Sequence, residues 1–300
     1  MRHARLTGLL LLALVPALAS AQRGPQRDVV QREIRPVFTG TLTAHEWGVW
    51  LLEDGDVTLN ALANESPSFV ARGHQAPQTP ARPPVVARKP VLYLRASEPI
   101  QDLRINVSFT GGQPWLLFPV GQVAGNAINW RGRLQPRPAE RLQTAAQGHW
   151  WHHLRNVNAD YFTSAHGTTE RFLFYDGPVS FQSPLRSRTP LRARQASLPL
   201  WRVTANGAAE LDVTTRSANV RRRGSKEHLR GWLLAALTGR GLEPDEAAAL
   251  INTWAPELFE GDHARDIYFV SRAAYDRMLP LTIFPRPTEL VRVGLVIDRR

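Results

Sequence analysis

The alternation of apolar and polar positions changes period near residue 224. Before that point the apolar runs are short and rich in β-branched and aromatic residues, which predicts strands. Residues 37–43 read as a first strand entering a hairpin. Val49-Trp50-Leu51-Leu52 favours strand, Asp54-Gly55 stands where a type I′ turn would go, and Val57-Thr58-Leu59 resumes the strand. Gly48 inside this pattern suggests a bulge or a close backbone approach. Residues 90–96 form an apolar run suited to a buried strand, and residues 103–109 alternate with period two. Further strands are predicted at 115–120, 127–130 and 170–175, the last closed by Asp176-Gly177-Pro178. Residues 200–204 and 210–214 make a hairpin about Asn206-Gly207.

After Gly224 the period becomes helical. Ser225 is a helix cap, although His228 takes the place where a capping box carries Glu or Gln. Leu229, Trp232, Leu233, Ala236 and Leu237 recur at helical spacing until Gly239 and Gly241. Pro244 opens a second helix with Asp245 and Glu246 in its first turn, where acids suit the helix dipole. A strand at 267–270, a helix from Ser271 to Met278 and a strand at 290–297 finish the chain. The pattern predicts an α+β protein with a β-rich body, an antiparallel sheet or sandwich, followed by a C-terminal helical hairpin (helical part 225–278) and a returning strand. Residues 67–90 carry six prolines and read as a loop, either a lid or an insert. Residues 148–160 fit a helix or a strand.

The first 21 residues have a basic start, an apolar run and a small-residue site at Ala19-Ser20-Ala21, the features of a cleaved secretory signal. Residues 22–36 read as a flexible leader and 37–300 as one domain, with no membrane-spanning segment after cleavage. The roughly 280 residues that remain suffice for one large core. The absence of cysteine excludes disulfides and thiolate metal sites. The formal charge is +11, and removal of Arg2 and Arg5 with the signal takes two of those charges away. The basicity is almost wholly arginine, since Lys89 and Lys226 are the only lysines. Such a charge suits an anionic envelope polymer or a small anionic ligand; no feature favours nucleic acid.

The histidines carry the candidate chemistry. Imidazoles and carboxylates bind zinc and other divalent metals, and hydrolytic sites commonly join two or three histidines to one acid. His45, His149, His152, His153 and His166 are candidate metal ligands, with Glu46 and Asp160 as candidate catalytic acids. The expectation is that His45 and Glu46 meet the 149–166 segment, giving a metal-binding protein or metal-dependent hydrolase of the cell envelope. The alternative is a binding module for an anionic or glycan ligand, with Trp47 stacking and Arg186 and Arg188 gripping charge. No nucleophile elbow or nucleotide-binding glycine pattern is present.

Several stretches together resemble an uncharacterised group of exported bacterial proteins. They are Thr43-Ala44-His45-Glu46-Trp47-Gly48, Lys89-Pro90-Val91-Leu92-Tyr93, Arg171-Phe172-Leu173-Phe174-Tyr175, Ile267-Tyr268-Phe269-Val270-Ser271-Arg272, Leu279-Pro280-Leu281-Thr282-Ile283, and residues 285–293. The resemblance runs from about residue 40 to the C-terminus, implies one integrated domain and transfers no activity.

Overall fold

Ten strands join into one broad sheet whose centre is the most apolar part of the chain. A computed structural model describes residues 38–52, 59–73, 85–185, 197–214 and 217–299. In chain order the strands are β1 (Leu42–Leu52), β2 (Ala71–Arg72), β3 (Val85–Ala96), β4 (Ile100–Ser108), β5 (Leu116–Phe118), β6 (Gln122–Ala124), β7 (Ala127–Gln135) and β8 (Tyr161–Ser164). They continue with β9 (Thr169–Glu170), β10 (Phe172–Val179), β11 (Leu198–Thr204), β12 (Gly207–Val213), β13 (Ala218–Gly224), β14 (Arg265–Val270), β15 (Leu281–Phe284) and β16 (Glu289–Arg299). The helices are α1 (Leu59–Glu65), α2 (Trp151–Arg155), α3 (Lys226–Thr238), α4 (Pro244–Thr253), α5 (Ala255–Phe259) and α6 (Arg272–Met278).

The large sheet runs β13-β12-β11-β14-β16-β1-β3-β10-β5-β2, and a smaller one runs β15-β4-β7-β8-β9 with β6 beside β7. The expected antiparallel sheet or sandwich holds for most pairings but not at the centre, where β1 and β16 pair in parallel and the C-terminal strand comes to lie beside the first. The central strands are apolar on both faces because both faces are covered. Trp47, Val49, Tyr93, Phe174 and Leu295 pack in one cluster with Leu154 of α2, Leu233 of α3 and Leu250 of α4. Trp50, Leu92, Leu173 and Val296 pack in the other with Ile105 of β4, Trp130 of β7 and Tyr275 of α6. The section is therefore α1 to α5, then the large sheet, then the small sheet with α6. Each buried large side chain contributes about 1.5–3 kcal/mol against exposure.

Local sequence accounts for the ends of these elements. Ser225 caps α3, and His228 completes the box by accepting the Ser225 N–H at Nδ1, 3.2 Å away. An imidazole thus does what Glu or Gln usually does. At the sheet edge β13 carries Arg221 and Arg222, paired across the ladder with Asp212 and Glu210 at 2.5 Å each. Charge on an edge strand discourages pairing with another chain.

Three local expectations are corrected. Within the stretch 67–90 that read as a loop, residues 71–72 form β2 and residues 85–90 open β3. Leu59 begins α1 rather than resuming a strand, and β1 takes β16 and β3 as partners. The Asp54-Gly55 turn lies outside the described residues. Asp176-Gly177-Pro178 do not close a strand either, because β10 runs through them to Val179. Among the described residues no helix is long and apolar enough to cross a membrane.

Candidate functional site

Three central strands lose their register at the same level. Trp47 pairs with Val91 but Val49 with Arg88, and on the other side Phe174 pairs with Val91 but Gly177 with Ala87. Each mismatch gives β3 one residue more than its neighbour, so Arg88-Lys89-Pro90 is a bulge facing two strands. Pro90 suits it, having no N–H for a ladder. Lys89 has φ +51°, a left-handed conformation that costs a non-glycine residue free energy and recurs at functional sites. The Oδ1 of buried Asp176 accepts the Lys89 backbone N–H and braces the bulge. Gly48 lies opposite, where a Cβ would sit 2.9 Å from the Tyr275 hydroxyl and 3.4 Å from Pro90.

The bulge turns the Lys89 side chain into a pocket of about 510 Å³ lined by Glu65, Lys89, His149, Trp150, His153 and Trp254 among others. The Lys89 Nζ lies 3.2 Å from Glu65 Oε2 and over two indoles, 4.6 Å from the Trp254 centroid and 5.0 Å from that of Trp150. Arg88 also donates to Glu65 Oε2 and lies over Trp254 at 5.5 Å. The Lys89 side chain is 8% exposed, whereas that of Glu65 is 45% exposed. Two buried cations therefore share one accessible carboxylate.

The electrostatics follow from this crowding. Burial, then the Arg88 charge, lowers the Lys89 pKa, and the opposing pull of Glu65 and Asp176 does not restore it. Burial would raise that of Glu65, but Lys89 and Arg88 outweigh it and hold the carboxyl below its ordinary value. Burial pushes Asp176 up to about 7. His149 accepts the Trp151 N–H at Nδ1, 3.1 Å away, so its Nε2–H donates to the Glu65 carbonyl, also at 3.1 Å. Burial lowers its pKa as well, and the neutral ring is the form this arrangement holds. Trp150 Nε1 donates to the same carbonyl at 2.8 Å. Titratable groups with displaced pKa values, a strained bulge and aromatic walls coincide in this hollow, which makes it the candidate site.

The other expected residues go elsewhere. His45 and Glu46 are neighbours on β1 and point to opposite faces of the sheet, as consecutive strand residues must. His45 faces the helices, with Nδ1 2.9 Å from Glu246 Oε2 of α4. Glu246 also pairs with Arg95 at 2.8 Å and accepts the Glu243 N–H at the start of α4. Glu46 faces the other layer. It accepts the Tyr175 hydroxyl and Arg292 Nε, the latter at 2.5 Å, and Arg292 continues to Asp276 of α6 at 2.8 Å. Both residues are buried, so the expected meeting of His45 and Glu46 with the 149–166 segment at one open hollow does not occur.

His152 Nε2 lies 2.9 Å from the Ala146 carbonyl. His153 lines the Lys89 pocket, while exposed His166 lines a separate hollow with Trp130 and Phe284. Asp160 accepts the Ala96 N–H at 2.8 Å and fastens the end of β3. Trp47 is wholly buried under the helices and cannot stack on a ligand. Arg186 and Arg188 lie outside the described residues. No group of three or more His, Asp or Glu able to hold a metal ion occurs among the described residues.

The residues that sequence reasoning missed are Glu65, Arg88, Trp254 and, above all, Lys89. One signal pointed to it: in a chain that draws its positive charge from arginine, Lys89 is one of two lysines. Arginine and lysine are not interchangeable where a shifted pKa or an amine is needed. Comparison with known protein families, with curated proteins and with solved structures gives no match.

Proposed function

We propose that this is an exported ligand-binding protein whose working site is the Lys89 pocket, and that the ligand is a small anion with a flat apolar or sugar-like ring. The carrying observation is the pair of buried cations, Arg88 and Lys89, that share the one half-exposed Glu65 carboxylate, with Lys89 against two indoles. A ligand carboxylate takes the place of the Glu65 carboxylate on Arg88, while its ring lies along Trp150 and Trp254. Glu65 ends α1, so its side chain can leave Arg88 without disturbing a ladder and stay beside Lys89. The metal-hydrolase reading has less support, since of the pocket histidines His149 and His153 the first has both ring nitrogens engaged, and no group of three metal-ligating side chains occurs among the described residues.

Titration of the purified protein with benzoate and galacturonate, followed by tryptophan fluorescence and calorimetry, tests this reading. At least one carboxylate is expected to bind. Lys89→Met is expected to abolish the binding and Trp150→Ala to weaken it about tenfold, a change of about 1.4 kcal/mol. Equal binding of methyl benzoate or galactose, or unchanged binding by Lys89→Met, contradicts the proposal.

A further inference from the structure

Lys89 offers a primary amine as well as a charge. The Nζ is enclosed, lies 3.2 Å from a carboxylate able to carry protons, and faces two indole rings at 4.6 and 5.0 Å. A buried lysine beside a second cation is the arrangement that favours an amine nucleophile. Arg88 is that second cation, and its Nε is buried without a hydrogen-bond partner among the described residues. We propose that Lys89 Nζ condenses reversibly with the carbonyl carbon of a small 2-oxo acid, whose carboxylate pairs with Arg88 in place of Glu65. The inference rests on the reading of this pocket as a ligand site and names the ligand's reactive group.

The step balances without an oxidant or reductant. The Lys89 ammonium passes one proton to the Glu65 carboxylate, and the freed lone pair forms a C–N bond to the carbonyl carbon. The carbonyl oxygen takes a second proton from that nitrogen and becomes a hydroxyl. Glu65 then returns its proton to the hydroxyl, which leaves as water while C=N forms. Of the three ammonium protons one stays on the iminium and two leave in the water. The iminium keeps the positive charge over the faces of Trp150 and Trp254, where an aromatic ring favours a cation. Arginine at this position would supply the charge but not the reactive nitrogen.

The test is reductive trapping. The protein is incubated with pyruvate or glyoxylate and sodium cyanoborohydride, and the adduct is located by intact mass and peptide mapping. Lys226 is the one other lysine side chain and serves as reference within the same molecule. The expected result is at least tenfold more adduct at Lys89 than at Lys226 in the folded protein, lost in urea and slowed by benzoate. Lys89→Arg is expected to keep carboxylate binding and lose the adduct. Labelling of Lys89 no greater than that of Lys226, with carboxylate binding intact in the wild-type chain, overturns the imine and leaves the ligand site standing. Absence of both binding and adduct overturns the pocket reading as well.

Discussion

Lys89 and Asp176 illustrate how one strained residue organises its surroundings. The left-handed backbone at Lys89 aims its N–H at Asp176, and burial raises the acid to about 7 from an ordinary 3.8. Between those values the folded chain holds a proton that the unfolded chain has lost. Raising the pH through that window therefore removes stability, and the loss is complete above about 7. Asp176→Asn keeps an oxygen for the Lys89 N–H and removes the titration. Denaturant unfolding at pH 5 and pH 8 is expected to show the substitution gaining about 2–4 kcal/mol relative to wild type on going to the higher pH. Parallel pH profiles for the two proteins would show that Asp176 titrates normally. Nothing in the local pattern around Lys89-Pro90 announces this arrangement, because the acid stands 87 positions away.

At the level of the element, β1 explains both what was legible and what was not. Its strand character was plain in residues 49–52, and the longer elements, among them β3, β4, α3 and α4, were placed by period together with caps and turn residues, whereas α1, α5 and several short strands were not. The expected site failed at the same strand, because the two-residue alternation that predicts it also separates His45 from Glu46. Each side chain then serves its own layer. His45 ties α4 to the sheet through Glu246, and Glu46 ties α6 to it through Arg292. Glu46 is wholly buried, and its partner Arg292 is 6% exposed. Breaking such a buried pair leaves one charge uncompensated, which costs about 3–5 kcal/mol. Glu46→Gln and Arg292→Met are each expected to destabilise by about that amount in urea titrations. The double substitution is expected to cost clearly less than the sum. Additive losses would mean that the two groups do not act as a pair.

Across the whole molecule, the apolar pattern carried the β-rich class, while the layering depended on contacts between distant segments. The parallel pairing of β1 with β16 joins residues some 246 positions apart, and a single sequence offers no local signal for that. Covering both faces of the central strands leaves few places where polar groups remain within reach of solvent. The β3 bulge, under α1, α2 and the start of α5, creates one of them. The chain's two lysines make that place observable. With selectively labelled lysine, NMR resolves the Lys89 side-chain signal from that of Lys226, with Lys89→Arg giving the assignment. The expected result is a Lys89 amine that titrates below the ordinary lysine range and shifts when benzoate or galacturonate is added. A Lys89 signal that titrates like a free lysine and ignores every carboxylate would contradict the account.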